Sequence, residues 1–131
     1  MSRAAVYSLL STDSALQSLG LQRVYAFQAV DTPVESPFIV TRWDEMQPGV
    51  VASRGPHNVT FWVYDAPADY ARIDAIIARV KDILIGATHV TGADGYVLTQ
   101  ARWTSDSQDL YDDVYDCVLR TSSFEVIARP A

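Results

Sequence analysis

The sequence predicts an α+β fold: a mainly antiparallel sheet of about four to five strands, one long helix on one face, and short N-terminal helices. Three observations predict it. In the stretch HNVTFWVYDAPADYARIDAIIARVKDILIG (57–86), apolar residues recur first at period 2 and then at period 3.6, a strand running into a helix. Other runs rich in β-branched and aromatic residues, FIVTRW (38–43), YVLTQARW (96–103) and VYDCVLRTSSFEVIAR (114–129), are separated by polar or Gly-containing segments, the pattern of further strands. Two short helical patterns occupy the first twenty residues.

In chain order, SRAAVYSLL (2–10) reads as a short helix. Ser11, Thr12 and Asp13 offer N-caps for a second helix, SALQSL, which Gly20 closes; Leu9, Leu10, Leu16 and Leu19 supply core contacts. Gln22 to Phe27 reads as a short strand. Pro33 and Pro37 exclude a regular helix from the connection that follows. After strand 38–43 comes a loop of about thirteen residues, DEMQPGVVASRGP, long for a compact domain and so a candidate partner-binding arm. In strand 57–64, His57, Val59, Phe61 and Val63 point one way and Asn58, Thr60, Trp62 and Tyr64 the other. The helix is expected over residues 68–85, with Asp65 as N-cap, Pro67 in the first turn and Gly86 at its end. Tyr70, Ile73, Ile76, Ile77, Val80, Ile83 and Leu84 fall within an arc of roughly 140°, a core-facing stripe. Arg72, Asp74, Arg79 and Lys81 flank it, and Ala68, Ala71, Ala75, Ala78 and Asp82 form its outer line. Gly92-Ala93-Asp94-Gly95 is a turn. A polar loop over 105–113 carries Asp106, Asp109, Asp112 and Asp113. In the last run the alternation slips near Thr121-Ser122-Ser123, a bulge or bend.

A chain of 131 residues is expected to form one domain, 1–131, with a real core. Its 49% hydrophobic and 20% charged content is that of an ordinary globular protein, which excludes wholesale disorder. No run approaches the roughly 20 apolar residues of a membrane span, and no signal peptide is evident. The net charge of -6 disfavours free-standing nucleic-acid binding, which needs clustered Lys and Arg. It suits a surface that DNA passes without sticking.

No catalytic or ligand-binding constellation emerges, so the reading is not an enzyme, with no cofactor and no metal. The aspartates of 105–113 lack the spacing and terminal Glu of a calcium loop. His57 and His89 are isolated. The single cysteine, Cys117, excludes an intrachain disulfide and reads as a small buried hydrophobe. Asn58-Val59-Thr60 fits a glycosylation acceptor, but it lies in the central strand of a chain without an export signal. Phosphate-binding glycine loops and nucleophile elbows are absent.

The apolar surplus is more informative. Trp43, Trp62, Tyr64 and Trp103 cannot all pack on one helix. Either the N-terminal helices or a neighbouring subunit covers the second sheet face. With the small-sided line at Ala71 and Ala75, these residues are the candidate subunit interface. Met46, Val50, Val51 and Arg54 in the first long loop, and Asp106, Asp109 and Asp112 in the second, are candidate partner contacts.

The order of elements resembles the tail terminator (tail completion) proteins of long-tailed bacteriophages. The residues that carry this are Leu9, Leu10, Asp13, Ala15 and Leu16, then Arg23-Val24-Tyr25, then Pro37-Phe38-Ile39-Val40. Val59 to Tyr64, the helix over 68–85, and Ser123, Phe124 and Val126 extend the resemblance over nearly the whole chain. It implies a structural virion protein, made in the host cytoplasm, that assembles with itself into a hexameric ring at the head-proximal end of the tail. Such a ring caps the tail tube, ends its polymerisation and meets the head-tail connector protein, while DNA passes through without specific binding. The alternatives are another connector or head-closure adaptor, or a small non-viral α+β binding module.

Overall fold

The computed structural model describes residues 3–25, 35–43, 57–67 and 70–130. The element order is α1 (Arg3–Ser11), α2 (Ser14–Ser18), β1 (Arg23–Tyr25), β2 (Phe38–Trp43), β3 (His57–Asp65), α3 (Ala71–Ile85), β4 (Val90–Thr91), β5 (Tyr96–Asp106), β6 (Leu110–Asp112) and β7 (Cys117–Pro130). Local chemistry sets several boundaries. Asp13 accepts a hydrogen bond from the Leu16 N–H at 3.0 Å and so caps α2, and Gly20 turns the chain out of it at φ +92°.

The strands form one sheet in the order β1-β2-β3-β7-β5-β4, with β6 also on β7. The spine is β7. Val118 to Val126 pair with β3 along one edge. Along the other edge, Ser122 to Pro130 pair with β5 and Cys117 to Leu119 with β6. β5 and β6 therefore act as one interrupted strand against β7, broken at residues 107–109. Register shifts lie between Leu98 and Gln100 and between Trp103 and Ser105. The irregularity expected at Thr121–Ser123 thus sits on the facing strand.

The two faces of the sheet bury different sets of residues. On one, Val59, Phe61, Val63, Ile39, Leu98, Phe124 and Val126 meet Ile73, Ile76, Ile77, Val80 and Leu84 of α3. Ala5, Val6 and Leu10 of α1 and Leu16 of α2 join the same cluster, so the N-terminal helices lie on the α3 side. On the other face, Tyr25, Phe38, Val40, Tyr64, Cys117 and Leu119 form a second cluster with Trp62, Leu110 and Tyr115 packed against it. The chain encloses this cluster by curling: Tyr115, in the β6–β7 turn, packs edge-on to both Phe38 and Tyr64.

The expected fold class is corrected on this evidence. Among the described residues the sheet has seven strands rather than four or five. It is mixed, because β1 runs parallel to β2 through Arg23↔Phe38, Val24↔Ile39 and Tyr25↔Val40, and it curls into a half-barrel. Among the described residues there is no long helix on one face, only short helices. α3 starts at Ala71, residues 68 and 69 of the expected 68–85 helix lying outside the described residues, and its 15 residues span about 22 Å, half the roughly 46 Å of the 14-residue β7. The physical reason lies at Asp65. It does not cap the helix; Tyr70 holds that position without a side-chain cap bond. Instead Asp65 is buried, accepts from the Ala66 N–H and takes a bidentate ion pair from Arg72, both contacts at 2.6 Å. The strand–helix corner is thereby fixed below α3 rather than within it. The expected loop over 105–113 is also corrected: it contains the end of β5 and all of β6.

Candidate functional site

Among the described residues, no three of His, Cys, Asp or Glu are placed to hold a metal ion. Cys117 is buried, and burial pushes its thiol pKa up, with the Asp112 charge adding to the effect. It packs as a small buried side chain beside Tyr25, Phe38 and Leu119. His57 is buried and its Nδ1 has no hydrogen-bond partner; burial lowers its pKa. It faces the core rather than a cleft.

The remaining candidates are surfaces. Of the four aromatics expected at a subunit interface, Tyr64 is enclosed by its own chain. Its ring stacks on Phe38 at 4.6 Å, and burial, aided by the Asp112 charge, pushes its phenol up to about 12. Trp62 is half-buried beneath the Arg42 guanidinium at 4.9 Å, and its indole N–H is buried without an acceptor. Trp43 is half-buried with Arg3 5.7 Å from its ring. It forms one wall of an apolar cavity of about 360 Å³ that also touches Ala4, Val6, Tyr7 and Thr41.

Trp103 is the one of the four that stands out, 44% exposed. It is held on two sides: its indole N–H donates to Asp106 Oδ1 at 2.9 Å and Lys81 Nζ lies 4.6 Å from its ring. Lys81 closes the triangle by donating to Asp106 Oδ2 at 2.7 Å. Burial would raise the Asp106 pKa, but the bonds from Lys81 and Trp103 outweigh it and hold the carboxyl below its ordinary value. A large aromatic fixed in one rotamer loses little entropy when a partner covers it. Ala71 is exposed and Ala75 half-buried on α3.

The acidic partner-contact candidates have internal duties. Asp106 holds Trp103. Asp109 lies 3.5 Å from Arg120, whose guanidinium also binds Asp74 of α3 at 2.5 Å. Asp112 accepts from the N–H groups of Val114 and Tyr115 and builds the β6–β7 turn. Met46, Val50, Val51 and Arg54 lie outside the described residues.

Sequence reasoning missed the tip of that hairpin. Val114 is 83% exposed and Tyr111 58% exposed, with the Tyr111 hydroxyl donating to Asp116. Asp116 takes a positive φ of 52° to make the turn. The lone valine within DDVYD was the available signal, but it continued the alternation of the last strand and so read as strand.

The fold and these surfaces define a class: a curled mixed sheet with helices on one side, whose exposed apolar groups suit contacts with other proteins. No protein-family profile and no curated protein sequence matches the chain. Among solved structures it is similar to a chain in the virion of a native gene transfer agent (GTA) particle, with a TM-score of 0.76 and 21% identity over 96% of this chain and 92% of that one. The likeness is one of fold.

Proposed function

We propose that this chain is a structural virion protein that forms a ring, hexameric by the resemblance, at the head-proximal end of a phage tail. There it caps the tail tube, ends its polymerisation and meets the head-tail connector. The observation that carries the virion assignment is the end-to-end likeness in fold to a virion chain. The terminator role rests on the sequence resemblance from Leu9 to Val126. Exposed Trp103, Tyr111 and Val114 agree with a protein that works by contact, and the net charge of -6 agrees with a channel that releases DNA.

The test is negative-stain imaging of the purified protein alone and with tail-tube protein. Rings that cap tubes and arrest their growth are expected. Rings that bind connector but leave tube growth untouched would turn the assignment to a head-closure adaptor. A protein that stayed monomeric and capped nothing would end the virion-ring reading.

A further inference from the structure

We infer that one copy docks on the next through its β6–β7 hairpin tip, which enters the apolar cavity beside α1 and Trp43 of the neighbour. This rests on the ring reading and adds the contact that would build it.

The two halves match in apolar character and in charge. The tip offers Val114, 83% exposed, and Tyr111, 58% exposed. Between them in sequence, Asp113 is exposed and has no hydrogen bond or ion pair among the described residues, whereas Asp112 and Asp116 are bonded within the tip. The cavity, about 360 Å³, is lined by Val6, Tyr7, Thr41 and Trp43, with Arg3 at its edge. Arg3 is exposed and meets the Trp43 ring, with no carboxylate partner among the described residues. The other charge at the cavity, Asp94, is engaged locally: Oδ1 accepts from the Tyr96 N–H at 3.2 Å and Oδ2 lies 3.5 Å from the Ala4 N–H. An apolar knob with an unpaired carboxylate is thus complementary to an apolar hole edged by a guanidinium that stacks on Trp43 and has no carboxylate partner among the described residues. Asp113 and Arg3 would pair at the rim as Val114 is buried.

One copy cannot satisfy itself. The tip follows Asp112↔Cys117, next to Phe38 and Tyr64 at one end of the sheet. Trp43 is five residues along β2 from Phe38, about 17 Å away, and faces the opposite side of the sheet, where α1 packs. Knob and hole therefore lie at opposite ends and on opposite faces. Such a contact is heterologous, the head-to-tail kind that propagates from copy to copy and closes into a ring when the rotation allows.

The test is charge reversal read by sedimentation of the full-length protein. Asp113→Arg should raise the concentration needed for assembly by ~10-fold, and adding Arg3→Asp should restore it. Both sites are exposed, so unchanged thermal melts should accompany the loss. In parallel, Val114→Cys and Tyr7→Cys chains, each with Cys117→Ala, are mixed and oxidised; a disulfide between the two kinds of chain is expected. If the wild type forms rings but the reversal changes assembly by less than ~2-fold and no mixed disulfide forms, this contact is wrong and the ring reading stands. If the wild type stays monomeric at every concentration and caps no tubes, both fall.

Discussion

His57 shows how a single residue sets a pH limit on this fold. It sits in β3 opposite Val126, 2% exposed, and burial depresses its pKa. The folded chain therefore keeps it neutral where the unfolded chain, titrating near 6.5, takes up a proton. More protons on the unfolded state means stability falls as pH drops below about 6.5, by at most about 1.4 kcal/mol per pH unit. Urea unfolding at pH 7.5 and pH 5.5 should show this loss, and His57→Leu should flatten it. Asp13 acts in a separate, more acid window. Its bidentate bond with Arg79 holds its pKa down, so its contribution is present above the ordinary carboxylate range and is lost as pH falls below about 4.

The Arg72–Asp65 pair is the other residue-scale test. Arg72 is 45% exposed but the Asp65 side chain only 5%, so removing the arginine strands a buried carboxylate. Arg72→Met should cost about 2–3 kcal/mol in denaturant unfolding, less than a fully buried pair because solvent reaches the arginine side. Asp65→Asn in the same chain should recover part of that loss.

At the scale of elements, α3 and β7 divide the labour. α3 is anchored along its length by three cations reaching other elements: Arg72 to β3, Arg79 to the α2 cap and Lys81 to the end of β5. Asp74 adds a fourth tie through Arg120 of β7. These bonds orient the helix; the apolar stripe supplies the adhesion. Ile77, 3% exposed among Val59-side core residues, reports on that stripe. Ile77→Asp should remove about 4 kcal/mol or more by placing an unpaired charge in the core. A thermal melt close to wild type would show that the helix phase is wrong. β7, by contrast, organises through hydrogen bonds to three strands, β3, β5 and β6, and tolerates the break between the last two at 107–109.

At the scale of the whole molecule, curling of the sheet decides which apolar groups remain for partners. It draws Phe38, Tyr64 and Tyr115 into a cluster of the chain's own, and leaves Trp103, Tyr111 and Val114 outside. The tube-capping experiment belongs at this scale, because it asks whether those leftover surfaces work together. If an assembled ring covers Trp103, tryptophan fluorescence should shift to the blue on assembly, and Trp103→Phe should reduce that shift, leaving the part due to Trp43.

The local pieces were legible in the residues alone: the Asp13 cap, the buried stripe from Ile73 to Leu84, the alternation of β3, and the burial of Cys117. Each depends on residues within a turn or two of one another, and periodicity reports such patterns directly. The rest came from long-range packing. The parallel pairing of β1 with β2, the strand formed at Leu110–Asp112 and the enclosure of Tyr64 all depend on partners distant in the chain. So does the division of four apparently surplus aromatics into one buried, two half-buried and one exposed, because alternation assigns a residue to a face but not what the curl of the sheet will bring against it.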